Sequence, residues 1–342
     1  MKKHSDVTIY HIAEKLGLAT STISRALKDH RSIGKTTTQL VKDTAAEMGF
    51  RPNVLAASLR NKKTKTIGVL ISRINRPFLS SLISGIEETL QNAGYNTIII
   101  QSNDSYKNEV NMTKVLYSNR VSGVICSLAM ETRNTSHFKQ FINSNIPLVF
   151  VDRVPKEIDT WRVMIDNYSA GYKATQHLID QGCKRIAHYA GSQFRNVYSE
   201  RKRGYLDALK HNKLVADDDL LVYFKILSYE EGEIVTNRLL DLKNPPDGIF
   251  SSNDSTAVAA IKVAKKRNLR VPEDLAIIGF NNDPVSQIIE PALSTVTHPA
   301  FEMGQASAEK ILSLLESTTT DEVKEITFLN TEVLVRESSK RK

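Results

Sequence analysis

Apolar side chains in residues 7–50 recur at the spacing of one helix face in three short stretches. Thr8 is a good N-cap for the first stretch, and Gly17 suits the left-handed position that ends a helix. A second helix is predicted from Thr20, and a third begins near residue 35 and ends at Gly49. The side chains predicted to face inward are Ile9, Ile12, Ala13 and Leu16, then Ile23 and Leu27, then Leu40, Val41, Thr44, Ala45 and Met48.

Pro52 interrupts the helical pattern, because proline cannot continue a helix from upstream. Asn53 can cap one further short helix, which carries Leu59 between polar neighbours. An isolated short helix is unstable in water, so we expect this one to order only when something supports it. An apolar wedge with basic flanks is suited to opening a minor-groove base step. The alternative is a linker helix that packs Leu59 on the body.

From residue 66 onward, short apolar runs alternate with amphipathic helical patterns, which is typical of parallel sheets covered on both faces. Two such series follow each other and predict two α/β lobes with a cleft between them. Strands are expected at 67–71, 97–100, 121–126 and 148–151, then at 163–165, 186–190, 248–251 and 276–280. Helices are expected at 78–93, 110–118 and 138–144, then at 170–181, 198–210, 230–242 and 256–267.

Positive charge is concentrated at the start of the chain. Residues 1–63 hold 12 Lys/Arg and 5 Asp/Glu, a net charge of +7, whereas the whole chain of 342 residues has a formal net charge of +8. A local basic patch is the electrostatic footprint of a polyanion partner such as nucleic acid. A solvated basic surface is the alternative that charge alone leaves open.

The two cysteines, Cys126 and Cys183, sit in or beside apolar runs, which favours buried free thiols over a disulfide or a metal site. The opening MKKHSDVT has no apolar signal-peptide segment, and no apolar run approaches the ~20 residues that span a bilayer. We therefore expect a cytoplasmic protein with no membrane association, no metal and no cofactor.

The second predicted helix turns Thr20, Ser21, Thr22 and Arg25 outward. A helix, a short turn around a glycine and a second helix rich in short hydroxyls form the helix-turn-helix layout. Short hydroxyls allow close approach to the major groove, and an outward arginine can pair with guanine. A helical hairpin with a solvated polar face is the alternative.

Polar side chains follow several predicted strands, at the ends where open parallel sheets bind ligands. Carboxylates and amides suit hydroxyl groups, and an aromatic face suits a sugar ring. Each of these residues also has a structural interpretation when it is considered alone. Asn253 can be a helix cap, Asp152-Arg153 can form an ion pair between lobes, and His298 can be a structural histidine. The strand-end residues are 72–78, Asp152-Arg153, Asp166-Asn167, 191–201, Asn253-Asp254 and 281–283.

The first sixty residues resemble the head of the lactose/galactose repressor (LacI/GalR) family of bacterial transcription regulators. The motifs that carry the resemblance are VTI at 7–9 with Ile12-Ala13, STISRAL at 21–27, GFRPN at 49–53 and ASLR at 57–60. The resemblance implies that Thr20, Ser21 and Arg25 read major-groove base edges and that Leu59 intercalates from a hinge helix. Ala19 and Gly34 depart from the family, since each replaces a usual capping serine. The candidate DNA-binding residues are Thr20, Ser21, Thr22, Arg25, Asn53, Leu59 and Arg60.

Residues 66 to about 336 resemble the effector module of the same family, which is similar to periplasmic sugar-binding proteins. Asn281 and Leu79 depart from the family, which has an aspartate and a second aromatic there. Arg195 and Arg201 leave room for an anionic ligand such as a sugar phosphate. The candidate effector-binding residues are Phe78, Asp152, Arg195, Arg201, Asp254 and Asn281.

The predicted fold class is an all-α helix-turn-helix head plus a two-lobed, periplasmic-binding-protein-like α/β module. The head is expected at 1–51, the hinge helix and linker at 52–65, and the module at 66–338. Lobe 1 is expected at 66–162 plus 295–325, and lobe 2 at 163–294 plus 326–338. The tail lacks sustained leucine heptads, so a homodimer is the simpler expectation.

The resemblance implies a sequence-specific transcriptional regulator, expected to be a repressor of carbohydrate-metabolism genes. It implies that a homodimer binds palindromic double-stranded operator DNA and responds to a sugar or sugar phosphate in the cleft; induction and corepression are equally permitted. An enzyme is not expected, because nucleotide-binding glycine loops, Gly-x-Ser-x-Gly and His-Glu-x-x-His are missing from the sequence. A sugar-transport receptor, and a regulator that answers a non-sugar ligand or a protein partner, are the alternatives.

Replacing Leu59, the apolar wedge, tests the role of the predicted hinge helix in DNA binding. Leu59→Ala is expected to weaken binding to specific operator DNA while leaving nonspecific binding at low salt nearly intact, because only specific binding uses the opened base step. Fluorescence anisotropy with operator and scrambled duplexes measures both. Equal losses on the two duplexes would rule out the wedge role.

Overall fold

Residues 7–50 fold into three short helices, α1 (Ile9–Leu16), α2 (Thr20–Ala26) and α3 (Lys35–Glu47). The computed structural model describes residues 7–50, 64–317 and 324–341, and the chain divides into two compact units, residues 1–64 and 65–342. Ile12, Ile23 and Val41 are fully buried where the helices meet. Gly17 (φ 63°) and Gly49 (φ 68°) take the predicted left-handed conformation after the first and third helices.

Two details of this unit reflect its sequence. Ala19 and Gly34 occupy the N-cap positions of α2 and α3, and neither helix has a side-chain cap, as expected from these residue types. The prediction that Leu40 faces inward is wrong, because its side chain is 52% exposed. The buried face of α3 is centred on Val41 and Ala45, and Leu40 lies about a quarter turn away from it.

The second unit contains two six-stranded sheets, each of which forms one lobe. The strands are β1 (Thr66–Ile71), β2 (Asn96–Gln101), β3 (Gly123–Cys126), β4 (Leu148–Val151), β5 (Trp161–Ile165), β6 (Ile186–Ala190), β7 (Leu221–Tyr223), β8 (Gly248–Ser251), β9 (Ala276–Asn281), β10 (Ser294–Thr297), β11 (Ile326–Leu329) and β12 (Val333–Leu334). In lobe 1 the strand order is β11-β5-β4-β3-β1-β2, and all neighbours are parallel. In lobe 2 the order is β12-β10-β9-β8-β6-β7, and only the β12–β10 pair among these described strands is antiparallel.

Helices cover these sheets, and the predicted fold class is confirmed. The helices are α4 (Pro77–Asn92), α5 (Tyr106–Ser118), α6 (Lys139–Asn143), α7 (Asn167–Asp180), α8 (Asn196–His211), α9 (Tyr229–Leu240), α10 (Asp254–Lys266), α11 (Val285–Ile288) and α12 (Ala300–Glu316). The short elements β7 and α11 were not predicted, because three or four residues carry too little periodicity.

The predicted lobe boundaries are wrong at three places. Strand β5, expected to open lobe 2, pairs with β4 in lobe 1. Strand β10, expected to cross into lobe 1, pairs with β9 in lobe 2. Strand β11, expected in lobe 2, pairs with β5. Within the described residues, the chain therefore crosses between lobes after β5, after β10 and between β11 and β12.

Helices α7 and α8 pack unusually closely in lobe 2. A Cβ added at Gly171 would lie 2.4 Å from the Arg201 carbonyl oxygen, and one added at Gly204 would lie 2.3 Å from the Tyr168 carbonyl oxygen. Only glycine permits this backbone approach. It fixes the position of Arg201, which faces the cleft between the lobes.

Cys126 and Cys183 are buried free thiols, as predicted. Burial raises the pKa of each well above its usual value, so neither is a reactive thiolate. Within the described parts of the chain, no helix is long and apolar enough to cross a membrane.

Candidate ligand-binding cleft and nucleic-acid interface

Helix α2 presents the polar face that the sequence predicts. Ser21 and Arg25 are exposed and Thr20 and Thr22 are half-buried, whereas Ile23 and Ala26 turn into the core. The helix therefore has one face for packing and another that is open to a partner. Asn53, Leu59 and Arg60, the remaining candidate DNA-binding residues, lie outside the described residues.

A cleft lies between the lobes, beyond the carboxyl ends of their strands. Four of the six predicted effector-binding residues line it, namely Phe78, Asp152, Arg201 and Asn281. Phe78 lies in the first turn of α4, Asp152 follows β4, and Asn281 ends β9. Strand ends from two sheets thus bring together residues that are up to about two hundred positions apart, as the topology of open parallel sheets favours.

His298 also lines the cleft, although its sequence position suggested a structural role. Its ring stacks on Phe78 with 4.0 Å between centroids, and its Nδ1 lies 3.2 Å from Asn281 Oδ1. Burial, reinforced by Arg201, lowers the pKa of His298 well below its usual value, so the imidazole is neutral. With Nδ1–H donating to the amide oxygen, Nε2 is an acceptor.

Asp152 places a second acceptor beside this nitrogen. Its Oδ1 lies 3.6 Å from His298 Nε2, and burial raises the pKa of the Asp152 carboxyl despite the opposing charges of Arg153 and Arg201. Among the described residues, no group donates a hydrogen bond to the Asp152 carboxylate or to His298 Nε2. A buried acceptor such as His298 Nε2 is costly without a donor, and a ligand hydroxyl could donate to it while a second hydroxyl donates to the neighbouring Asp152 carboxylate.

Arg201 lines the cleft on the side of lobe 2. Its Nε donates to Asn167 Oδ1 at 2.8 Å and its Nη1 to the Ser252 carbonyl oxygen at 2.9 Å. The guanidinium lies flat on Phe280, 3.4 Å from the ring centroid. Burial lowers the pKa of Arg201 to about 10, so it remains charged at neutral pH. Its position is fixed on three sides, and Nη2 makes no hydrogen bond within the described part of the chain.

Three further arginines reach the cleft, and they make it more cationic than the sequence indicated. Arg153 Nη1 lies 2.6 Å and Arg73 Nε 3.2 Å from the carboxylate of Asp104, which also belongs to lobe 1, so this ion pair of Arg153 does not bridge the lobes. Arg76 Nη2 donates to the Ile226 carbonyl oxygen. With Arg201, four guanidinium groups face the carboxylates of Asp104, Asp152 and Asp283.

Asp283 supplies the cleft with a carboxylate in place of the one that is missing because residue 281 is asparagine. The resemblance indicated that the asparagine leaves the cleft without its usual acid, but Asp283, two residues later, lines the cleft. Burial raises the pKa of Asp283 to about 6, partly offset by hydrogen bonding from Asn281. Left-handed backbone at Asn281 (φ 111°) and Asn282 (φ 58°) turns the chain so that this side chain enters.

Asp254 lies beneath the cleft and does not line it. Its Oδ2 accepts from the Asp283 backbone N–H and its Oδ1 from Thr295 Oγ1, both at 2.7 Å. Burial and the charge of Asp283 raise the pKa of Asp254 to about 8. Its geometry is that of a structural anchor for the loop after β9. Asn253 is the N-cap of α10 and also lines the cleft, so it has both of the positions that the sequence suggested.

Arg195 also lies away from the cleft, in a second cavity between the lobes. Its Nη2 donates to the Thr132 carbonyl oxygen. The sequence placed it near Arg201, six residues later on the same segment, but more than one turn of helix separates the two and directs them to different cavities.

Comparison with known proteins gives matches to both units. The family model for bacterial regulatory proteins of the lacI family matches residues 8–53, and that for the periplasmic binding protein-like domain matches residues 175–339. The HTH-type transcriptional regulator DegA of Bacillus subtilis (strain 168) is 32% identical over 298 residues, covering 87% of this chain and 88% of that protein.

Solved structures resemble nearly the whole chain. The complex of the transcriptional regulator CelR with cellobiose has a TM-score of 0.72 and 28% identity, covering 97% of this chain and 99% of that one. The Lac repressor dimer bound to operator and the anti-inducer ONPF has a TM-score of 0.85, covering 98% and 99% of the two chains. Its identity of 21% makes this a likeness of fold.

The buried Asp254 carboxyl makes stability depend on pH. Because its folded-state pKa is raised to about 8, folding favours the protonated form, and its contribution to stability is lost as the pH rises from about 4 to about 8. Asp254→Asn mimics that form. We expect the free energy of unfolding, measured by urea denaturation, to fall with rising pH less steeply in Asp254→Asn than in the unmodified protein. Asp180→Asn, at an exposed carboxylate, is the control; equal slopes in all three proteins would contradict the assignment.

Proposed function

Because this chain belongs to the lacI family of bacterial regulatory proteins, we propose that it represses carbohydrate genes from a palindromic operator, in the cytoplasm, under the control of a sugar or sugar phosphate. Its relatives are DNA-binding transcription regulators, and α2 has the exposed polar face that such a helix requires. In this proposal a homodimer places two α2 helices on the two half-sites, since a two-fold protein reads a two-fold site.

The adjacent acceptors of Asp152 and His298 carry the ligand proposal. A polyhydroxylated molecule has the several hydroxyl donors that they lack, and Phe78 stacked on His298 offers a flat apolar surface for a sugar ring. The four arginines favour a ligand that also has a negative charge. The cellobiose bound by CelR supports a carbohydrate as the ligand class.

Control of DNA binding by this ligand needs a coupling between the cleft and the head. Residues from both lobes line the cleft, so a ligand that contacts both changes the preferred angle between them. The chain enters lobe 1 at β1, directly after residues 52–63, so such a change alters the spacing of these segments in a dimer. Coupling is reciprocal, and operator DNA must change ligand affinity by the same factor.

Calorimetry with a panel of sugars and sugar phosphates tests the ligand class. At least one member should bind, and Arg201→Lys should weaken it about tenfold or more, since lysine lacks the planar guanidinium fork. Arg203→Lys, two residues away on α8 and 58% exposed, is the matched control and should bind as the unmodified protein does. No binding by any member would favour a regulator that answers a non-sugar ligand or a protein partner.

The α2 helix is tested separately from the cleft. Arg25→Ala should lower affinity for specific DNA by ~1–3 kcal/mol and relax the preference at one base pair, because a single bidentate base contact is lost. Genomic footprinting supplies the site, and anisotropy on single-base variants measures the change. A uniform loss on every sequence would show a phosphate contact instead. Repeating the titration with ligand distinguishes induction, which weakens binding, from corepression, which strengthens it.

A further inference from the structure

A second cavity lies between the lobes, apart from the ligand cleft. Three loops form it: residues 128–135 after β3 and 154–157 after β4 come from lobe 1, and residues 193–196 after β6 come from lobe 2. Asn196 joins the lobes at this point, because its Nδ2 donates to the Asp152 carbonyl oxygen and its Oδ1 accepts from the Val154 N–H. The wall of the cavity therefore contains hydrogen-bonded residues of both lobes.

Arg195 brings a buried positive charge into this cavity. The residue is only 7% exposed, and its Nε has no hydrogen-bond partner among residues 7–50, 64–317 and 324–341. Within the same residues, no carboxylate lies at ion-pairing distance from its guanidinium. A buried cation of this kind is costly unless an anion or further acceptors reach it. Burial and the charge of Arg153 lower the pKa of Arg195, and the charges of Glu109 and Glu157 offset this only in part.

Gln193 supplies an acceptor that lacks a donor. Its Nε2 donates to the Gly191 carbonyl oxygen at 2.8 Å, which fixes the orientation of the amide. The buried Oε1 then faces away from that bond and has no donor within the described residues. Within the described residues, the cavity lining thus includes a donor without a partner, Arg195 Nε, and an acceptor without a partner, Gln193 Oε1.

The rim adds further positive charge. Arg133 stacks on Phe194, with its guanidinium carbon 3.8 Å from the ring centroid, and Lys156 is exposed beside it. Glu157 is the one carboxylate among the residues that line the cavity within the described chain. The buried side chains of Leu128 and Val154 form an apolar wall opposite these charges.

We propose that this cavity is a second ligand site, which binds a small oxyanion that also carries a hydroxyl group, such as a hydroxy acid or a phosphorylated polyol. The oxyanion accepts from Arg195 Nε, and the hydroxyl donates to Gln193 Oε1. Because its walls come from both lobes, the ligand stabilises one arrangement of the lobes. The site does not depend on the identity of the ligand in the main cleft.

Calorimetry on the full chain with glycerol 3-phosphate, glycerate and uncharged glycerol tests the proposal. At least one of the two anions should bind, and glycerol should bind at least about tenfold more weakly, because it lacks the charge. Either order of the two anions supports the site and identifies the preferred oxyanion. Binding of neither anion, or glycerol binding as tightly as they do, would overturn it.

Substitutions locate the binding. Arg195→Gln should weaken the anion at least about tenfold, since the charge-assisted bond is lost, whereas Arg203→Gln, which removes an exposed arginine on α8, should not. Equal affinity in Arg195→Gln would place the anion in the main cleft and overturn the proposal. Should Arg195→Gln fail to fold, two variants at exposed residues of the rim provide the test, because they are expected to change the affinity for the anion in opposite directions. Lys156→Gln should weaken binding and Glu157→Gln should strengthen it, and no change in either would also overturn the site.

Discussion

The burial of Arg201 is the constraint on which the rest of the cleft depends. A guanidinium that has been removed from water must be held by acceptors and by an aromatic face, and here Asn167, Ser252 and Phe280 supply them from three elements of lobe 2. The close approach of α7 and α8 at Gly171 and Gly204 fixes the position of the Arg201 guanidinium relative to the cleft. Across the cleft, Asp152 of lobe 1 provides the opposite charge, so the two lobes face each other through an electrostatic attraction that a ligand can join.

Local patterns in the sequence predicted most elements of this fold, because helix periodicity and apolar strand runs are local properties. They could not assign strands to sheets. Strand β5 is only partly buried, and β10 is buried although three of its four residues carry hydroxyl groups. Neither property indicates a sheet, and only the long-range pairing assigns β5 to lobe 1 and β10 to lobe 2. For the same reason His298 was not singled out. It follows β10 directly, and recognising that strand would have marked it as a strand-end residue.

The candidate site shows a second limit of the same kind. A position at a strand end brings a polar residue near the cleft. Whether its side chain contacts a ligand depends on how deeply that side chain is buried beneath the cleft surface. The Asp254 carboxylate accepts hydrogen bonds from Thr295 and the Asp283 backbone, while the Asp152 carboxylate has no such donors among the residues that the structure describes. Arg195, the N-cap of α8, lines the second cavity, whereas Tyr198 in the first turn of the same helix lines the main cleft. Such differences depend on side-chain partners from other elements, which composition and spacing do not reveal.

The late position of β11 and β12 bears on how the chain is made. Residues 326–334 complete the edges of both sheets, and Ser338 and Arg341 then bind to Ile277 and Gln181 in lobe 2. Neither sheet can be completed until residues 326–334 have left the ribosome, whereas the three helices of residues 7–50 have a core of their own. During synthesis, the helix that would read DNA is therefore formed before the module that would control it, and each new molecule passes through a stage in which the first exists without the second.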